Sequence, residues 1–107
     1  MSGLGEMGNL LKQAQEMQRQ LDRVRAELHS KTIEGSAGGG VVRVVVSGDR
    51  QEVKEVVISP EILDQKDSTL VNDLVKGALQ DALRRALENE KTEMEKVTGG
   101  MQLPGIL

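Results

Sequence analysis

Three basic residues near the start of the chain, Lys12, Arg19 and Arg23, are spaced seven and four apart, so on a helix they share one face. Arg25 and Lys31 follow toward the end of the same stretch. A cationic ridge of this kind has the chemistry to track a line of phosphates. Acidic neighbours offer a competing use. Glu16 lies between Lys12 and Arg19, Arg19 can reach Asp22, and Arg23 can reach Glu27, all at helical pair spacing. On the residues alone, a solvated and self-paired face is the stronger reading. Arg84 and Arg85 stand the same way, within reach of Glu88 and Asp81. Gln13, Gln15, Gln18 and Gln20 suit phosphates or base edges, and equally suit an ordinary helix surface.

Other chemistries have less to work with. His29 is the single histidine, with no cysteine and no carboxylate cluster beside it in sequence, so a solvent-facing cation near a helix end is the better reading than a general base. Ser59 and Ser68 occupy capping places and lack a catalytic partner, so no catalytic residue is assigned. Asp64, Asp67 and Asp73 lie where helix N-termini favour carboxylates, and no metal site or cofactor is expected. Gly3, Gly5 and Gly8 match G-x-G-x-x-G, but no strand precedes them and no βαβ unit surrounds them. In the run 35–40, Val41 stands where a phosphate loop needs lysine, so these glycines predict a hairpin turn with positive φ.

The elements that must position the ridge are legible from periodicity. Met7, Leu10, Ala14, Met17, Leu21, Val24 and Leu28 alternate three and four apart, a coiled-coil seam that predicts a helix over 7–30 in need of a partner. Strands come next over 33–36, 41–47 and 52–59, with a helical turn at 61–63. The β-branched run 41–46 lacks clean alternation, so part of its second face is expected to be covered by a helix of the same chain or by a second copy. Asp64 or Asp67 should cap a helix over 68–97, stopped by Gly99 and Gly100. Its apolar pairs, from Leu70 and Val71 to Ala86 and Leu87, recur every four residues and wind around the helix, so its two ends pack on different things. A thirty-residue helix reaches about 45 Å and a seven-residue strand about 23 Å, so the helices overhang the sheet. The stretch 88–96 carries four Glu and two Lys around Met94, as suits an arm in water.

Composition sets the class. The 107 residues make one domain, with 1–6 and 99–107 expected as flexible tails, and without Phe, Tyr or Trp the core is aliphatic and leaves little room for a large pocket. No apolar run approaches the 18 residues needed to cross a bilayer, and no signal peptide is visible, so a soluble, unexported protein is expected. The net charge of −3 divides unevenly: residues 1–47 carry six basic and five acidic groups, and residues 48–107 carry eight and twelve. Bases cannot stack on aromatic side chains here, so any nucleic-acid binding favours the duplex backbone.

Several segments together resemble the bacterial YbaB/EbfC nucleoid-associated proteins. They are 8–18 (GNLLKQAQEMQ), the Gly-rich turn into Val41, 59–63 (SPEIL), 81–86 (DALRRA) and 100–105 (GMQLPG), in the same order over nearly the whole chain. The resemblance implies an α+β, α-β-β-β-α protomer and a homodimer shaped like tweezers, with two long projecting helices. It implies a cytoplasmic, nucleoid-located, non-enzymatic protein that binds double-stranded DNA and alters DNA conformation or gene expression, with no cofactor and no small-molecule substrate. It places DNA contacts on the projecting helices, which here means Lys12, Arg19, Arg23, Arg25 and Lys31. The rival reading is a protein-interaction adaptor using the same helical arms.

Overall fold

The computed structural model describes residues 2–99, and the expected order is present. It runs α1 (Ser2–Ser30), β1 (Thr32–Ala37), β2 (Val42–Ser47), β3 (Val53–Ile58), the short α2 (Pro60–Asp64) and α3 (Ser68–Thr98). The fold is α+β. α1 starts five residues before the expected Met7, because Gly3, Gly5 and Gly8 lie inside the helix, where nothing crowds them. The expected flexible segment 1–6 therefore falls within α1 apart from Met1, and the expected tail beyond Gly99 lies outside the described residues.

The three strands form one antiparallel sheet in the order β1-β2-β3. Cross-strand partners share a face. Ile33, Gly35 and Ala37 therefore stand with Val46, Val44 and Val42, and these with Val53, Val56 and Ile58. α3 lies over this face. Val42, Val44 and Val46 pack against Ala78, Ala82 and Ala86, all six fully buried. The helix comes this close because Gly35 lacks a side chain: a Cβ there would stand 2.6 Å from the Ala78 carbonyl oxygen and closer still to the Ala82 nitrogen. Gly35 is thus a strand residue under a helix and not part of the turn. The turn itself uses Gly38, Gly39 and Gly40, all at positive φ.

No described helix lies over the other face of β2, where Arg43 is exposed and Val45 half-buried; Arg43 donates to Glu34 at 3.1 Å. α3 also leaves part of its own face bare. Val53 and Val56 on β3 are 57% and 48% exposed although they point the same way as the buried valines.

Asp67, not Asp64, caps α3 by accepting the Leu70 amide at 3.1 Å, and Gly99 ends it in the left-handed region at φ 65°. The winding stripe brings Met94 to a second cluster, against Leu21 and Leu28 of α1, with Met17, Val24 and Val97 around it. This corrects the reading of 88–96 as an arm in water, since Met94 is only 4% exposed. Beyond the second cluster the seam is uncovered, with Leu4, Met7, Leu10 and Leu11 all exposed. The long helices overhang the sheet as expected, giving extents of 77 × 21 × 17 Å.

Candidate nucleic-acid interface

α1 holds its ridge by turning its seam inward. Leu21 and Leu28 are buried against α3, which fixes the opposite side of α1 toward solvent and sends Lys12, Arg19 and Arg23 outward together. At the base, a Cβ on Gly48 would stand 2.6 Å from the Leu28 carbonyl oxygen, so the β2–β3 turn sits directly on the helix end. The Gly48 amide donates to the Lys31 carbonyl at 2.8 Å. These contacts set the pose of the arm.

The cations differ in how far they are committed. Arg19 pairs with Glu16 at 3.5 Å, and both are well exposed. Asp22 takes Arg25 at 3.2 Å and Gln18 at 3.0 Å, so the expected Arg19–Asp22 pair does not form. The expected Arg23–Glu27 pair does not form either. Among the described residues, Lys12, Arg23 and Lys31 have no acidic partner within ion-pair distance. Arg23 and Arg25, two residues apart, point about 160° from each other around the helix. The five candidates are therefore not one face. Lys12, Arg19 and Arg23 share the outer side, Arg25 stands on a flank, and Lys31 lies just past the helix end. Arg23 also borders a groove between α1 and α3 lined by Gln20, Glu27, Glu93 and Lys96, and Lys31 borders its lower end.

α3 commits Arg84 and Arg85 to structure. Asp81 receives Arg84 at 2.6 Å and Arg85 at 3.1 Å, and Arg84 also reaches Glu88 at 3.2 Å. The Asp81 carboxyl is held below its usual range chiefly by the Ser36 backbone amide, then by Arg85 against some burial, with Arg84 adding to it. The Arg84 guanidinium is raised in turn by Asp81 and Glu88.

His29 is exposed in the last turn of α1, as expected, but it is not isolated. Its Nδ1 lies 2.7 Å from Asp49 and its Nε2 4.0 Å from Glu52. Sequence offered no signal for this contact, because the partners are 20 and 23 residues away, between β2 and β3. Asp49 also accepts from the Ser47 hydroxyl at 2.6 Å and the Gln51 amide at 3.1 Å. Burial pushes its carboxyl up, but the bonds from Ser47, His29 and Gln51 outweigh that and hold it below the usual range. Ser47 is fully buried and accepts the Gln51 and Glu52 amides, so the group closes a turn and presents no nucleophile. Among the described residues no three acidic, histidine or cysteine side chains gather as a metal site. No described helix is long and apolar enough to cross a membrane.

The chain is similar along its length to proteins of one kind. The YbaB/EbfC DNA-binding family matches residues 3–101. A nucleoid-associated protein of Acetivibrio thermocellus is 48% identical over 103 residues, covering 95% of this chain and 90% of that one. Another, of Alkaliphilus metalliredigens, is 43% identical over 106 residues, covering 99% and 92%. The fold matches the crystal structure of the uncharacterized protein HP0035 of Helicobacter pylori with a TM-score of 0.71, at 22% identity, over 89% of this chain and 96% of that one. The extent of these matches, together with the order of helices and strands, shows that the chain belongs to the YbaB/EbfC DNA-binding family.

Proposed function

We propose that the protein binds duplex DNA as a homodimer, grips it through phosphates, and changes its conformation, acting in the cytoplasm at the nucleoid without enzymatic activity. The observation that carries the reading is the outer side of α1, where, among the described residues, Lys12 and Arg23 project without an acidic partner and Arg19 has a single, exposed pair. Exposed pairs of that kind are weak and release readily to a polyanion. Lys12, Arg19 and Arg23 form the contact surface, with Arg25 and Lys31 at its margins. Arg84 and Arg85 of α3 are already engaged by Asp81 and Glu88 and take little part.

A dimer suits the parts of the sheet that α3 leaves bare. Among the described residues β3 pairs only with β2 and its outer edge is open, and Val53 and Val56 stand exposed on the face that elsewhere forms the core. Leu79 and Leu83 lie about 160° around α3 from Asp81, which reaches the β1 edge, so they face toward β3 and extend the same apolar strip. A second copy seated there would cover the strip and leave two α1 arms projecting like tweezers.

The test is a fluorescence anisotropy titration with duplex DNA. The dimer should bind, and charge reversal at Arg19 and Arg23 should weaken binding while leaving the fold and the dimer intact. Unchanged affinity in a folded double variant would remove this surface from consideration.

A further inference from the structure

We propose that the turn between β2 and β3, residues 48–52, clamps α1 and α3 at the waist of the molecule, and that Arg50 is a positioning residue for DNA binding, its charge committed to α3 and not to phosphate. This role rests on the reading of α1 as the arm that meets DNA.

The waist needs a clamp because apolar packing lapses there. α3 packs on the sheet as far as Ala86 and meets α1 at Met94. Between those two residues only Leu87 is apolar, and 88–93 reads ENEKTE. The side-chain oxygen of Asn89, in the same stretch, is buried without a hydrogen-bond partner among the described residues. A close-packed apolar core transmits force stiffly, and a polar waist between two such cores bends unless specific bonds hold it.

The turn supplies those bonds to both helices. Gly48 lies against the Leu28 carbonyl and donates to that of Lys31, and Asp49 meets His29 at 2.7 Å, so the last turn of α1 is held. The next residue crosses to the other helix: Arg50 donates to Glu90 at 2.8 Å. Adjacent residues of one turn thus hold the two helices of the arm. The side chains of Arg50 and Glu90 are 36% and 28% exposed, against 72% and 53% for Arg19 and Glu16, so solvent screens the clamp less than the pair on the ridge.

The backbone points the same way. Arg50 sits at φ 63°, at the end of a turn that its amide closes on the Ser47 carbonyl at 2.9 Å, a left-handed position that glycine ordinarily takes. A long side chain is strained there and gains its place by what it reaches.

The chain has no cysteine, so spin labels at Gln13→Cys on the arm and Glu55→Cys on the sheet are unambiguous, and dilution into unlabelled protein leaves only intrachain pairs. The distance distribution should be narrow in the parent and broaden in Arg50→Glu, Glu90→Arg and Arg50→Gly. It should narrow again when Arg50→Glu and Glu90→Arg are combined. Arg50→Gly eases the backbone of the turn, so broadening in that variant reports the lost bond and not a misfolded turn. A distribution that none of the single variants changes overturns the clamp. Duplex anisotropy at one salt concentration then separates positioning from contact. Each charge variant should bind about fivefold more weakly, and the combined variant should recover. Direct contact predicts the reverse for Glu90→Arg, which adds positive charge. Tighter binding by Glu90→Arg, with no recovery in the combined variant, makes Arg50 a DNA contact and overturns its positioning role. If the parent has no affinity for the duplex while the distances respond, the DNA reading fails and the clamp stands.

Discussion

The backbone amide of Ser36 donates to the carboxylate of Asp81 at 3.0 Å, so α3 reaches over the outer edge of β1 and occupies a donor that would otherwise await another strand. The sheet is thereby asymmetric. Its β1 edge is guarded by a helix whose carboxylate also holds Arg84 and Arg85, and among the described residues its β3 edge is open beside exposed Val53 and Val56.

The asymmetry predicts where a second copy attaches. Val56→Asp puts a charge on the uncovered strip and should convert the proposed dimer to monomers in sedimentation velocity, with the helical circular dichroism signal retained. Ser36→Pro, which removes the amide that Asp81 accepts, should leave the dimer in place and lower the melting temperature. A Val56→Asp protein that remains dimeric would put the interface elsewhere.

Gly35 sets the distance between helix and sheet. Gly35→Ala drives a methyl group into the Ala78 and Ala82 backbone, and overpacking of this kind costs on the order of 1–3 kcal/mol. In a domain of this size each kcal/mol lowers the melting temperature by about 4–8 °C. Gly77→Ala meets only the Ala37 methyl, at 3.4 Å, and should be tolerated far better, so calorimetry of the two variants separates close approach from a general intolerance of alanine.

Met94 joins α3 to α1 and should govern the arm more than the sheet. Met94→Ala removes a buried side chain at a cost of about 2–5 kcal/mol. Hydrogen exchange should quicken around Leu21 and Leu28 first, with Val42 and Val44 the last to lose protection. Uniform loss across both clusters would mean the arm and the sheet open as one unit.

Asp49 predicts an acid limit. Its carboxyl is lowered from an ordinary value of 3.8 in the folded protein, so its charge contributes stability above that value and the contribution is lost as pH falls through the lowered one. Asp81 behaves in the same sense. The melting temperature should therefore be level at neutral pH and decline below about pH 4. Asp49→Asn should start lower at neutral pH and decline less steeply, and a parallel curve would show that Asp49 does not contribute to the acid limit.

Much of the fold could be read from spacing. The seam predicts that one side of α1 is apolar, and the drifting pairs of α3 predict two packing environments, found as Val44 with Ala82 and Leu21 with Met94. Periodicity does not say what covers a face, so it missed that α3 stops short of Met7 and Leu10. Composition misled at 88–96, where the charged residues hid the role of Met94. The ridge was legible as residues but its pairing was not: which of Asp22 and Glu27 takes a cation depends on rotamers that also serve Gln18 and Arg25. The Ser36–Asp81 and His29–Asp49 contacts join residues 45 and 20 apart, set only when the chain folds.

The central claim is that the outer side of α1 meets DNA phosphates, and the salt dependence of duplex binding tests it most directly. Affinity should fall linearly with salt on logarithmic axes, with a slope of about −0.9 per neutralised phosphate. Lys12→Gln with Arg23→Gln, in protein shown to remain folded and dimeric, should make that slope shallower by about 0.9 for each phosphate the variant no longer neutralises. An unchanged slope in that variant, or no affinity for duplex DNA even at low salt, would contradict the account.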